Sequence, residues 1–464
     1  MTDQSREELF AELAAVKAEN ERLRAALNAQ QQNQQNQQQQ PQQQQQQQPE
    51  HSSIANENGL TNEEIRRYGR HLIMPEIGVS GQLKLRQASV LVVGAGGLGS
   101  PCILYLAAMG VGRLGVVDHD VLETSNLQRQ IIHTEARAGT SKAESARASV
   151  QALNSGCECT AHDTLLTSDN AMGIFAQYDI VIDASDNAAT RYLINDVCVL
   201  LKKPLVSGSA VQMEGQLTIY NHRNGPCYRC MFPRPPPAST IVNCNDGGVL
   251  GVVPGVIGTL QALTVVRILL GMDADEAPYM LLFDALRTPH FRHIRIRGRQ
   301  KQCAVCGDNP TITEPIDYVQ FCGAGGYDDD GNAIQLLDPE MRMSAVEYKQ
   351  MREANVPHLL LDVRPRVHLD ICSLNPHAQV DWLKMEKSGG DQLAKDAIDS
   401  ALATLTSGSR GGEEVPIVVI CRRGNDSQLA VQLLKDKLGL SNVRDVTGGY
   451  TAYALHADST FPIY

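Results

Sequence analysis

Ser89-Val-Leu-Val-Val93-Gly94-Ala-Gly96-Gly97-Leu-Gly99 is the stretch whose reading decides the fold. A short run of β-prone apolar residues that breaks into glycines reads as a buried strand turning tightly into a helix. Glycine lets the backbone turn sharply and approach a ligand closely, and the free amides of a helix N-terminus favour an anion such as a phosphate. From Leu60 to about Gly307, further apolar runs alternate with helical patterns. That alternation implies an α/β domain, residues 59–307, built on a doubly wound, Rossmann-like parallel sheet.

Outward from the glycines, Asp118 ends a second strand-like run, RLGVVD. A carboxylate there is placed to accept hydrogen bonds from a ribose. An NAD-dependent oxidoreductase would carry the same two features. The next segments separate the readings: Ser125-Asn126-Leu127-Gln128-Arg129 and then Lys142 put two cations beyond the ribose carboxylate. The two phosphates of a dinucleotide do not call for them. A triphosphate does, because a leaving pyrophosphate develops charge that Arg and Lys stabilise. Either cation alone would read as a solvated surface charge. Asp183-Ala-Ser-Asp186-Asn187 then closes the strand-like YDIVID at the carboxyl edge of the sheet, where Asp186 is a candidate Mg2+ ligand.

GAGGLGS, DHDVLETSNLQRQ, Lys142 and DASDN, in this order and spacing, resemble the ubiquitin-activating superfamily and specifically its MoeB and ThiF type of adenylyltransferase. The resemblance implies ATP with Mg2+ as substrate, bound by Gly97, Asp118, Ser125 to Arg129, Lys142, Asp186 and Asn187. The upstream RRYGRHLIMPEIG is similar to the family's N-terminal signature. On that likeness Arg70 reaches the ATP of the partner subunit in a homodimer; without it, Arg70 is an ordinary helix residue.

Cys227-Tyr-Arg-Cys230 and Cys303-Ala-Val-Cys306 form two C-x-x-C pairs. That spacing lets two thiolates grip one tetrahedral Zn2+, and the long gap between the pairs makes the metal a structural staple, one per chain, with no open catalytic position. Redox C-x-x-C motifs would stand at helix starts in thioredoxin-like units, and neither pair reads so. Between the pairs, Cys244 in IVNCNDGGVLG lies in a polar, glycine-rich stretch that reads as a loop. By resemblance Cys244 matches the thioester-forming or sulfur-releasing cysteine of the family; its residues alone leave a catalytic and a non-catalytic role open.

Residues 308–335, rich in Pro, Gly and Asp, read as a linker, and a smaller α/β domain follows over 336–464. Its runs His358–Val363 and Pro416–Ile420 read as strands. Cys421-Arg-Arg-Gly-Asn-Asp-Ser427 then feeds a helical pattern, so the thiol sits in a strand-to-helix turn. Loop amides, the helix N-terminus, Arg422 and Arg423 would stabilise a thiolate and its persulfide, with Cys421 catalytic. The segment resembles a rhodanese active-site loop, and LLLDVRP that fold's other marker. A related phosphatase would need His before the cysteine and Arg at the end of the loop; Ile420 and Asp426-Ser427 stand there instead. Asp426 disfavours thiosulfate as donor and favours a protein persulfide, from a cysteine desulfurase or another donor.

The order of the two halves resembles eukaryotic fusions of a MoeB-like to a rhodanese-like domain. Such fusions imply adenylation of ubiquitin-like sulfur carriers ending in Gly-Gly, then sulfur transfer to give a thiocarboxylate. The implied carriers are the small subunit of molybdopterin synthase, for molybdenum cofactor synthesis, and the ubiquitin-related modifier of tRNA wobble-uridine 2-thiolation. Two other classes stay in view: an NAD-binding oxidoreductase with a redox-sensing domain, and a zinc-stabilised scaffold.

The rest of the chain narrows the setting. Its formal charge of −11 argues against general nucleic-acid or anionic-membrane binding. The arginine-rich FRHIRIRGRQK reads as a half-exposed strand. MTDQSREELF lacks the start of a secretion signal, so a cytosolic protein is expected. Residues 247–266 carry no charge but are studded with glycine, and read as a buried helix with its entry loop. Over residues 1–29, Leu9, Leu13, Val16, Asn20, Leu23 and Leu27 fall at steps of four and three, as a short coiled-coil helix or a lone amphipathic one. Residues 30–58, dominated by Gln, have nothing apolar to bury and read as a disordered tether.

Overall fold

A computed structural model describes residues 56–235, 247–273, 277–322, 335–406 and 415–464. The expected N-terminal helix, nearly all of the glutamine-rich tether and Cys244 lie outside the described residues. The described chain falls into two compact units, one reaching Pro315 and the other running from Ile316 to Tyr464, with Asn187–Leu193 counted in the second.

The first unit carries an eight-stranded sheet: β1 (Ser89–Val93), β2 (Arg113–Val117), β3 (Glu158–His162), β4 (Ile180–Asp183), β5 (Leu205–Val211), β6 (Glu214–Tyr220), β7 (Tyr279–Asp284) and β8 (Phe291–Arg295). Their spatial order is β3-β2-β1-β4-β5-β6-β7-β8. The first five are parallel and the last three antiparallel. β1 is buried along its whole length, the continuous apolar run that a strand covered on both faces requires. It pairs with β2 on one side and β4 on the other. The order of the chain therefore reverses at its carboxyl end, where open parallel sheets bind ligands.

The uncharged segment forms the helix Val252–Leu270. It is long and apolar enough to cross a membrane by length and composition alone. Its inward face, however, is core. A Cβ at Gly258 would collide with the Leu98 carbonyl, and the fully buried Gln261 amide donates to Asp183 O at 2.8 Å and Val206 O at 3.2 Å. β8 departs from the expected half-exposed strand, because all five of its residues are exposed. It is the outer edge of the sheet, so even Ile294 stands out, and its arginines discourage pairing with another edge.

The second unit has a parallel five-stranded sheet: β9 (Arg342–Met343), β10 (Leu359–Asp362), β11 (Ala378–Gln379), β12 (Ile417–Ile420) and β13 (Val443–Val446), ordered β11-β10-β12-β13-β9. One core contains Leu359, Leu361, Ile417 and Val419; another contains Leu360, Val418 and Ile420. The period of two along each strand sends alternate residues to opposite faces. In the stretch expected to be a plain linker, Tyr318–Cys322 forms one short helical turn.

Candidate active site

In the first unit, β1 delivers the chain into the glycine loop and the helix Gly99–Ala108 takes it out. Two glycines are obligatory on steric grounds. Gly94 has φ 101° and would press a Cβ to 2.6 Å from Ala184 O, while a Cβ at Gly99 would overlap the Gly94 carbonyl. The first-turn amides of that helix have no intrahelical acceptor, which suits an anion.

Asp118 follows β2, and its Oδ2 accepts the Ala95 amide at 2.7 Å while its Oδ1 accepts Asp120 N at 2.9 Å. The carboxylate is thus part of the loop's own scaffold as well as a candidate ribose acceptor. Burial raises its pKa, against the lowering field of Lys142. Lys142, at the start of the helix Lys142–Leu153, is buried, and its Nζ pairs with Asp120 Oδ2 at 2.6 Å. Asp120 is a partner that sequence reasoning missed, although it stands two residues after Asp118. Ser125 and Asn126 lie in the 3-10 turn Thr124–Asn126, with Ser125 exposed and its Oγ donating to Glu123 at 3.0 Å. Leu127 and Gln128 continue from it. A Cβ on Gly97 would meet Arg129 Cγ at 3.3 Å and Pro254 at 3.2 Å, so the stem of Arg129 covers the loop.

Asp183 is fully buried and accepts from Ser185 Oγ at 2.6 Å and Ser207 Oγ at 2.7 Å. Asp186, three residues on, is exposed. Asn187 caps the next helix, taking the Thr190 amide at 2.8 Å. Arg70 stands exposed on the helix Asn62–Leu72.

His133 is a second support the sequence did not reveal. Its Nε2 lies 3.0 Å from Ala95 O and its Nδ1 2.8 Å from Ser145 Oγ. A carbonyl can only accept, so Nε2 carries the proton and Nδ1 accepts from the hydroxyl. Burial, with Lys142 and Arg137 nearby, holds the imidazole neutral, its pKa lowered to about 4.

The four cysteines of the C-x-x-C pairs come together. Their sulfurs lie within 4.8 Å of one another, with Cys227–Cys230 at 3.8 Å, Cys227–Cys303 at 3.5 Å and Cys230–Cys306 at 3.3 Å. Tetrahedral ligands about 2.3 Å from a zinc stand roughly 3.8 Å apart, so the set fits a four-thiolate metal. Bonds among the four thiols draw Cys230 and Cys303 down and push Cys227 and Cys306 up. One expectation needs correcting: Cys227 does sit at a helix start, as the N-cap of the one-turn helix Tyr228–Met231. The four-sulfur cluster, which a redox pair does not have, is what separates the readings. The turn is fastened by Arg229, whose buried guanidinium grips Asp196 at 2.8 and 3.0 Å.

In the second unit β12 ends one residue before Cys421, and the helix Asp426–Leu438 begins after the loop. Gly424, at φ 83°, turns its amide back to donate to Cys421 Sγ at 3.0 Å, and Ser427 Oγ lies 3.4 Å away. The Gly424 amide favours a thiolate, whereas Ser427 Oγ accepts from the Cys421 thiol and gives its own proton to Asp445 at 3.2 Å. The thiol is nevertheless only 2% exposed. Burial pushes its pKa up and Asp426 adds to the rise, against the pull of Ser427 and Gly424. Burial and Asp426 thus work against the thiolate that the Gly424 amide favours, a cost the sequence reading did not include.

Residues 68–305 match the ThiF family, and residues 344–456 the rhodanese-like domain. The adenylyltransferase and sulfurtransferase MOCS3 of Culex quinquefasciatus is 51% identical over 412 residues, 87% of this chain and 90% of that one. Its Mus musculus counterpart is 50% identical over 89% of this chain and 90% of its own, and that of Sus scrofa 48% over 99% and 100%. Among solved structures, E. coli MccB with MccA-N7isoASN is similar over 55% of this chain and 77% of that one, at 20% identity and a TM-score of 0.46.

Proposed function

The chain belongs to the MOCS3 family of adenylyltransferases and sulfurtransferases, a ThiF-family domain followed by a rhodanese-like one, and on that premise we propose which residues and partners carry its two reactions. It is an enzyme that adenylates and transfers sulfur in the pathway of ubiquitin-like carriers. The oxidoreductase and scaffold readings give way to that membership.

The substrates we propose are carriers ending in Gly-Gly, the small subunit of molybdopterin synthase and the ubiquitin-related modifier of tRNA thiolation. The carrier's terminal carboxylate attacks the α-phosphate of ATP and expels pyrophosphate. In this reading the glycine loop cradles the phosphates at Gly97, and Asp118 takes the ribose. Ser125 to Arg129 flank the nucleotide, Arg129 and Lys142 balance the charge on the leaving group, and Arg70 comes from a second copy in a homodimer. For Lys142 this means exchanging its bond to Asp120 for a phosphate oxygen. Asp186, beside Asn187, would hold Mg2+, which supplies further charge neutralisation. Cys227, Cys230, Cys303 and Cys306 would hold a structural Zn2+.

Sulfur arrives as a persulfide on Cys421, loaded by a cysteine desulfurase or another protein donor. Its terminal sulfur attacks the acyl-adenylate, forming an acyl disulfide and releasing AMP. A thiol then attacks the Cys421 sulfur of that disulfide, freeing the carrier thiocarboxylate and leaving a disulfide to be reduced; Cys244 is the candidate. We place the enzyme in the cytosol, without nucleic-acid or membrane partners.

The observation that best supports this reading is the buried Lys142 beside Asp118 and the glycine loop, a cation a dinucleotide site does not need. The test is exchange of labelled pyrophosphate into ATP, followed by mass measurement of the carrier. Exchange that depends on a Gly-Gly carrier, and a carrier heavier by sulfur for oxygen, are expected. Exchange without any carrier would contradict the reading.

A further inference from the structure

Beyond the residues already assigned, Tyr464 is tied to the Cys421 loop. Arg422 Nε donates to the main-chain oxygen of Tyr464 at 2.8 Å and Arg422 Nη2 reaches the same oxygen, while the guanidinium lies 5.0 Å from the centre of the Tyr464 ring. The other end of Tyr464 is anchored as firmly. Its hydroxyl oxygen takes a 2.6 Å bond from Arg364 Nη1 and lies 3.1 Å from His368 Nδ1. Arg364 is itself held by Asp362, through bonds of 3.0 and 2.6 Å, under the face of Tyr450 at 3.6 Å, and both charged residues are 1% exposed or less. Tyr464 thus runs from a rigid, buried guanidinium to the guanidinium next in sequence to the sulfur-bearing cysteine.

Nε and Nη2 are the pair of donors with which arginine grips a planar or tetrahedral oxyanion bidentately. In Arg422 both are engaged by one main-chain oxygen. A small dianionic sulfane donor has nothing but its oxyanion for a protein to hold. A protein donor is recognised over a much larger surface and does not need this guanidinium.

We propose that Tyr464 is a specificity-determining residue of the sulfur half: by holding Arg422 it denies that guanidinium to small dianionic donors such as thiosulfate and reserves Cys421 for persulfides carried on proteins. This rests on Cys421 being the sulfur-carrying thiol. In the disfavoured reaction the Cys421 thiolate attacks the outer sulfur of thiosulfate, a cysteine–sulfur bond forms, the sulfur–sulfur bond of thiosulfate breaks, and sulfite leaves with the electron pair. Cyanide then takes the terminal sulfur as thiocyanate and restores the thiolate.

The test uses the full chain, Tyr464→Ala, Tyr464→Phe and a chain ending at Pro462, which keeps the Phe461 ring stacked 5.5 Å from Tyr450. Thiocyanate formation is followed with thiosulfate and, separately, with a persulfidated cysteine desulfurase. Freeing Arg422 adds a charge-assisted bond pair to the donor, so KM for thiosulfate should fall about tenfold in the shortened chain, and by less in Tyr464→Ala, which keeps the main-chain oxygen but loses the side-chain anchor that holds it in place. Turnover with the protein donor should stay unchanged. Adding Arg422→Ala to the shortened chain should abolish the gain. Tyr464→Phe, which loses only the hydroxyl bonds, should move in the same direction by about twofold and decides the matter if the larger changes unfold the unit. An unchanged KM in Tyr464→Phe and Tyr464→Ala, or a gain that survives Arg422→Ala, overturns the proposal. Thiocyanate formation that persists in Cys421→Ala would instead overturn the reading of Cys421.

Discussion

The glycine loop after β1 and the Cys421 loop after β12 are the same device, a strand of a parallel sheet turned into a helix with backbone amides gathered in between, yet they face their chemistry differently. In the first, Gly96 and Gly97 are half-buried and the nearby cation Lys142, whose field reaches Asp118, is already paired with Asp120. In the second, the amide of Gly424 already points at the Cys421 sulfur, and the thiol is shut away from solvent. In the proposed account the first loop receives an anion from outside. The other is built around an atom of its own, so its reactivity is set by burial and by what its arginines are doing.

The comparison can be broken most severely at Gly99. Gly99→Ala drives a methyl into the Gly94 carbonyl, and backbone cannot yield as a side chain can. Loss of pyrophosphate exchange by at least about a hundredfold is expected, with the loop shifted by more than the ~1 Å that alone costs such a factor. Thiocyanate formation from the protein donor should continue. Loss of both activities would mean that the two loops are not separable.

Lys142→Ala should come next, lowering exchange by about 10²- to 10³-fold, the range expected for a single donor at developing charge. It also leaves Asp120 without its cation, so thermal unfolding should be measured alongside. A drop in stability with exchange intact would make Lys142 structural.

A smaller effect follows from His133. Its folded pKa of about 4 lies below the ordinary 6.5. The unfolded chain therefore takes up a proton first as the pH falls. The stability that neutral His133 contributes is complete above pH 6.5 and is lost progressively down to about pH 4. Acid unfolding of the first unit should show this window, and His133→Gln, which cannot charge, should flatten it. An unchanged acid profile in His133→Gln would remove this role.

The smallest expected change lies at Cys421. Because burial and Asp426 both raise its pKa, alkylation of Cys421 should be slow at neutral pH and climb through the alkaline range. Asp426→Asn should move that profile modestly to lower pH. A shift the other way would mean that the exposed carboxylate does not face the thiol.

Much of this was legible in the sequence, and the reason differs by site. The glycine spacing, each C-x-x-C pair and the Cys421 loop are short-range patterns that local backbone geometry turns directly into structure, while the meeting of the two pairs, 76 residues apart, was read from their matching metal-ligand spacing. Asp120, His133 and Tyr464 were not legible, because each acts through a partner that only tertiary packing supplies: Lys142 for Asp120, Ala95 for His133, and Arg422 and Arg364 for Tyr464. β8 was misjudged for a related reason. An alternating pattern sets which faces a strand presents, but not whether any neighbour covers them. Burial, which raises the pKa of Cys421, is likewise something no motif records.

The central claim is that one loop activates and the other delivers. It is tested most directly by giving Cys421→Ala a Gly-Gly carrier, ATP and a persulfide donor, and following pyrophosphate exchange and carrier mass in the same sample. Exchange at the unaltered rate with no thiocarboxylate formed is predicted. Thiocarboxylate at the normal yield, or loss of exchange together with it, would contradict the account.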